Sequence, residues 1–63
     1  MPIVTINLIE GREPELKRRL IREVTDAVVR ALEVPPATVR VLLQEFPAVH
    51  WGIGGVSKAD ADS

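Results

Sequence analysis

Two short runs that are apolar on both sides constrain this chain more than any other feature. In the first, Pro2 to Ile9, the side chains of Val4, Ile6 and Leu8 fall on one face of an extended chain. Ile3, Thr5, Asn7 and Ile9 fall on the other. In the second, Thr38 to Glu45, Val39, Val41 and Leu43 share one face, and Arg40, Leu42 and Gln44 share the other. A strand wetted on one side reads polar at every second position. Both of these runs carry apolar residues on each side, so both faces of any sheet they form need covering.

Between the runs the period changes to 3.6. From Pro14 to about Glu33, Leu16, Leu20, Val24, Ala27, Val28 and Ala31 form one apolar stripe, flanked by Ile21 and Leu32. Arg19, Arg22, Glu23, Asp26 and Arg30 take the opposite face. Arg19 with Glu23, Arg22 with Asp26 and Asp26 with Arg30 stand at ion-pairing spacing. Pro14 suits the first helical position, and Pro35-Pro36 stops the helix. Two strands joined through one helix make a β-α-β unit of the α+β class, with parallel strands and a right-handed crossover. A single helix covers one sheet face. The other is expected to be covered by a second subunit.

Size leads to the same expectation. With 63 residues the chain reads as a single domain spanning residues 1–63. A domain of this length buries only about 60% of the surface its unfolded chain exposes. Small domains add disulfides, a metal or oligomerisation. There is no cysteine, and His50 is the only histidine, so thiolate and His-cluster metal sites are excluded. Oligomerisation remains.

A net charge of −1 argues against nucleic acid as a partner. No apolar run approaches the ~18 residues of a membrane span, and no secretory signal opens the chain. A cytoplasmic location is the default expectation. Gly11 marks a turn between strand and helix. Gly54-Gly55 gives the loop Phe46 to Gly55 hairpin chemistry, and Ser57 to Ser63 reads as a small, acidic, frayed end.

Four residues carry chemical possibilities. Pro2 follows a removable initiator methionine. Once Met1 is cleaved, Pro2 would present a secondary amine on a rigid ring; while Met1 stays attached, its nitrogen is an amide and does no acid–base work. The plain alternative is a proline that starts a strand. Catalysis would need the amine kept neutral, which an apolar pocket and nearby cations favour. Arg12 follows the first strand and alone reads as a solvated turn residue. Arg40 lies between Val39 and Val41, where an unpaired charge is costly, so it reads as an interface arginine or as a planar fork for a carboxylate. Two arginines and a base suit a dicarboxylate or keto-acid substrate. Trp51, the sole tryptophan, sits in a Gly-flanked loop that is more typical of a pocket wall than of a core. His50 beside it is assigned no role.

Together these pieces resemble the 4-oxalocrotonate tautomerase family over about Pro2 to Gly55. Carrying the resemblance are Pro2, Leu8-Ile9-Glu10-Gly11-Arg12, Leu20-Ile21-Arg22-Glu23-Val24, Val39-Arg40-Val41 and His50-Trp51-Gly52-Ile53-Gly54-Gly55. The combination is specific; no single piece is. The resemblance implies a β-α-β subunit with a short C-terminal hairpin, dimers assembled into a homohexamer, and no cofactor or metal. It implies Pro2 as general base and Arg12 on the distal carboxylate of the substrate. It implies Arg40, supplied by a neighbouring subunit, on the 2-hydroxyl or 2-keto end, with Leu8 and Trp51 also in contact with substrate. Trp51 stands where the best-known members have phenylalanine, which keeps the pocket aromatic and changes its volume.

Relatives also include hydrolytic dehalogenases and a decarboxylase. The dehalogenases favour a late-loop carboxylate and an additional early arginine. This chain has Ile53 in the late loop and Leu8 or Ile9 early, so tautomerisation is preferred, with a weak hydratase side activity as the alternative. One chain of a hetero-oligomeric tautomerase is a further alternative. A ribbon-helix-helix DNA-binding dimer also starts strand-then-helix, but Val39-Arg40-Val41-Leu42-Leu43 is β-branched and aliphatic rather than a second amphipathic helix.

Overall fold

The computed structural model describes residues 1–61. Strand β1 (Ile3–Ile9) pairs in parallel with β2 (Arg40–Phe46), in register from Ile3 opposite Arg40 to Ile9 opposite Phe46. One backbone bond extends the ladder at each end. The Arg40 N–H donates to the Pro2 carbonyl at 3.0 Å, and the Glu10 N–H donates to the Phe46 carbonyl at 2.9 Å. Helix α1 (Pro14–Leu32) joins the strands and packs chiefly against β2. The expected α+β, β-α-β architecture with parallel strands is therefore the one observed.

Helix α1 begins with Pro14 in its first turn. The Glu13 carbonyl accepts from the Leu16 N–H at 3.0 Å. It ends at Leu32, where Glu33 turns left-handed (φ 54°) and donates its N–H to the Val29 carbonyl at 2.9 Å. Of the expected ion pairs along the helix, Arg19–Glu23 forms at 2.7 Å. Arg22–Asp26 and Asp26–Arg30 do not close, and Arg18 pairs with Glu15 instead. Lys17 leaves the helix surface to meet Glu45 of β2 at 3.0 Å, which clips helix to sheet.

The second strand starts at Arg40 rather than Thr38 and runs through Phe46 rather than Glu45. Pro36–Thr38 forms a 3-10 turn, closed by the Thr38 hydroxyl donating to the Pro35 carbonyl at 2.7 Å. The two prolines lack the N–H groups a strand needs, so pairing begins only after them. The loop after β2 is also more ordered than expected. Ala48–His50 makes a second 3-10 turn behind Pro47. A hairpin follows, β3 (Gly52–Ile53) with β4 (Val56–Ser57) antiparallel. Its two turn residues, Gly54 (φ 60°) and Gly55 (φ 90°), both adopt the positive φ that a two-residue hairpin turn requires.

The expected frayed end is corrected in part. Ser57 belongs to β4, and Lys58–Ala61 forms a short helix α2 held by the Lys58 N–H on the Trp51 carbonyl at 2.8 Å. Residues 62 and 63 lie outside the described residues.

Burial alternates along the strands. Val4, Ile6, Leu8, Val41 and Leu43 are covered on the helix side, while Ile3 and Leu42 on the other side are 61% and 53% exposed. Among the described residues only Leu8 and Val39 are buried. The chain measures 44 × 24 × 13 Å with a radius of gyration of 14.8 Å. A compact 63-residue domain would have about 10.6 Å. This is a thin helix-on-sheet slab whose other sheet face, with Ile3, Ile9, Leu42 and Phe46 among polar residues, is left open.

Candidate functional site

The sheet carries its chemistry at its two ends. At the end where β1 begins, Pro2 is half-buried, and its carbonyl holds the Arg40 N–H. Met1 is attached to it and is 82% exposed, so the bond between them is accessible to a processing peptidase. Arg40 lies opposite Ile3 in the register and therefore projects on the open face. Its guanidinium Nη1 donates to the Ala37 carbonyl at 2.7 Å. The 3-10 turn that displaced the start of β2 is thus also what anchors this side chain.

At the other end of the sheet stand Ile9, Arg12, Phe46 and Trp51. Gly11 (φ 126°) turns the chain out of β1, and Arg12 folds back so that its Nη1 donates to the Ile9 carbonyl at 3.0 Å. Each guanidinium carries five donors in a planar fork, and one backbone carbonyl occupies only part of it. Among the described residues Lys17, Arg18 and Arg19 are paired with carboxylates, whereas Arg12, Arg22, Arg30 and Arg40 are not; of these four, Arg12 and Arg40 have the guanidinium held by a backbone carbonyl. Two arginines, each steadied by a carbonyl and neither neutralised, are able to take an anionic ligand.

The half-buried Trp51 meets Phe46 edge-to-face, with ring centroids 6.2 Å apart and planes at 67°. Its N–H donates to the Ala48 carbonyl at 3.2 Å. His50 is exposed.

Leu8 requires a correction. It is 9% exposed on the helix side of β1, with Glu45 opposite it in the register, so its side chain belongs to the core. The apolar residue on the open face at this end is Ile9, opposite Phe46. Sequence alternation separated Leu8 from Ile9 but did not say which of the two faces the helix would cover. Phe46 likewise takes the last rung of the ladder rather than opening the loop, and its ring meets Trp51.

The two groups are not brought together within one chain. β1 separates Pro2 from Arg12 by its seven residues, about 20 Å at the ordinary strand rise. Among the described residues the single chain encloses no pocket. A site using both ends must draw them from different subunits.

Comparison with known proteins agrees with this architecture. The family model described as tautomerase enzyme matches residues 2–61. The 2-hydroxymuconate tautomerase of Stutzerimonas stutzeri is 53% identical over 57 residues, covering 90% of each chain. Among solved structures, TomN, a 4-oxalocrotonate tautomerase homologue in the tomaymycin biosynthetic pathway, superposes with a TM-score of 0.95 at 34% identity. That match covers 97% of this chain and 94% of that one. A heterohexameric 4-oxalocrotonate tautomerase from Chloroflexus aurantiacus superposes with a TM-score of 0.91 at 42% identity, over 95% of this chain and 97% of its own. With nearly the whole β-α-β chain and its hairpin matched in both sequence and shape, this protein belongs to the tautomerase family, among the relatives of 4-oxalocrotonate tautomerase.

Proposed function

We propose that the chain is a cofactor-independent keto–enol tautomerase that converts 2-hydroxy-dienoates, such as 2-hydroxymuconate, to conjugated 2-oxo acids. The supporting observation is the anchoring of Arg12 and Arg40 by backbone carbonyls, with no carboxylate on either, at the two ends of the sheet whose first strand follows Pro2. After removal of Met1, the neutral Pro2 amine takes the proton of the 2-hydroxyl group. The electron pair moves through the diene, and Pro2 returns the proton to a carbon farther along the chain. Arg40 faces the 2-hydroxyl end and its carboxylate. Arg12 holds the distal carboxylate and draws electron density toward it, so that the two stabilise the dienolate. Trp51 and Ile9 line the apolar middle of the substrate.

The assembly in this reading is a homohexamer built from three dimers, working in the cytoplasm. The Stutzerimonas relative is named for 2-hydroxymuconate, which supports the substrate class, and the Chloroflexus relative is a heterohexamer, which supports an assembly of six chains. No helix among the described residues is long and apolar enough to cross a membrane.

The test couples intact mass to an ultraviolet assay of 2-hydroxymuconate. Material lacking Met1 is expected to turn over the substrate. Blocking the Pro2 amine by retaining Met1 is expected to lower kcat/KM by about 10²–10⁴-fold, the usual contribution of a positioned acid–base group. Full activity in protein that retains Met1 would defeat the assignment of Pro2.

A further inference from the structure

The catalytic reading assigns no role to Phe46, yet Phe46 is where every component of one sheet end meets. It forms the last rung of the ladder opposite Ile9, whose carbonyl holds Arg12. Its own carbonyl accepts the Glu10 N–H at 2.9 Å. Pro47 follows with φ −66°, and the Ala48–His50 turn then reverses the chain so that Trp51 returns onto the Phe46 ring.

The backbone of Trp51 is tied through its N–H to Ala48 and through its carbonyl to Lys58. These bonds fix the position of the residue and leave its two side-chain torsions to be set by contact. The indole itself is half-buried. The ring contact within the chain is Phe46, whose edge-to-face geometry at 67° fixes both tilt and distance. A ladder-anchored ring therefore steadies a loop-borne one.

We propose that Phe46 is a positioning residue that sets the orientation of the Trp51 indole, and through it the width of the aromatic wall offered to the substrate. The proposal rests on the tautomerase reading above, in which Trp51 touches substrate and Phe46 does not. Loss of the edge-to-face contact should therefore weaken substrate binding and leave the proton-transfer step intact.

The test uses the assembled, Met1-free protein and its single tryptophan. In Phe46→Leu, KM for 2-hydroxymuconate is expected to rise about three- to ten-fold with kcat within about two-fold, the range that loss of one aromatic pair represents. Trp51 emission should shift to the red and become more accessible to acrylamide. Phe46→Tyr, which keeps the ring edge, should restore both KM and emission. If Phe46→Leu does not fold, Phe46→Met carries the same comparison. Unchanged KM and emission would overturn the proposal. So would a joint loss of kcat and assembly without rescue by tyrosine, which would make Phe46 merely structural. Emission needs no turnover: an inactive wild-type protein would count against the tautomerase reading, while the fluorescence comparison would still decide whether Phe46 holds Trp51.

Discussion

Leu8 and Ile9 are neighbours in sequence with opposite environments, and the difference is a consequence of strand geometry alone. Leu8 points into the helix-covered side, Ile9 onto the open side with Phe46 and near Arg12. Leu8→Ala is expected to destabilise the protein by about 2–5 kcal/mol, as truncation of a core leucine does, measured by urea unfolding. Ile9→Ala should cost less stability and raise KM for the substrate, measured by initial rates. The reverse pattern would return the substrate-facing role to Leu8. At this scale residue type singles out Pro2, Arg12, Arg40 and Trp51 as candidates. It did not show which side of β1 the helix would take, because both sides are apolar and periodicity is blind to which one is covered.

Elements with a clear period were legible; elements without one were not. Both long strands and α1 followed from alternation and from the 3.6-residue stripe. The 3-10 turns Pro36–Thr38 and Ala48–His50 are three residues each, and α2 is four residues, too short for any period to register. The ends of α1 carry their own prediction. Glu33 caps the helix in the left-handed region at φ 54°, ψ 51°, where a Cβ atom is unfavourable. Glu33→Gly is expected to raise stability by about 0.5–1 kcal/mol, seen as a higher denaturation midpoint. No change would mean that the glutamate side chain has a compensating contact in the assembly.

The whole molecule is a slab with Ile3 and Leu42 exposed on its open sheet face and its candidate groups at opposite ends of the sheet. Each large aliphatic side chain buried on that face contributes about 1.5–3 kcal/mol to association. Leu42→Asp should therefore convert the assembly to smaller species in analytical ultracentrifugation and abolish activity at the same time. A second outcome follows from the distance between Pro2 and Arg12. Protein that retains Met1 and Arg12→Ala protein lacking it, each nearly inactive, should regain activity when unfolded together, mixed in equal amounts and refolded. If each site takes one group from each of two chains at random, about a quarter of the sites receive both intact residues. Failure of the mixture to recover would place both groups on one chain, against their separation along β1.

That separation also bears on how such a chain can change over generations. After gene duplication, one copy can lose its proline end and the other its arginine end, and every mixed pair still contains a complete set of parts. Neither copy is then dispensable, although neither works alone. On the proposed reading, a protein with its proline and its arginine at opposite ends of one sheet is open to division of labour between siblings by single substitutions, with no new interface to invent.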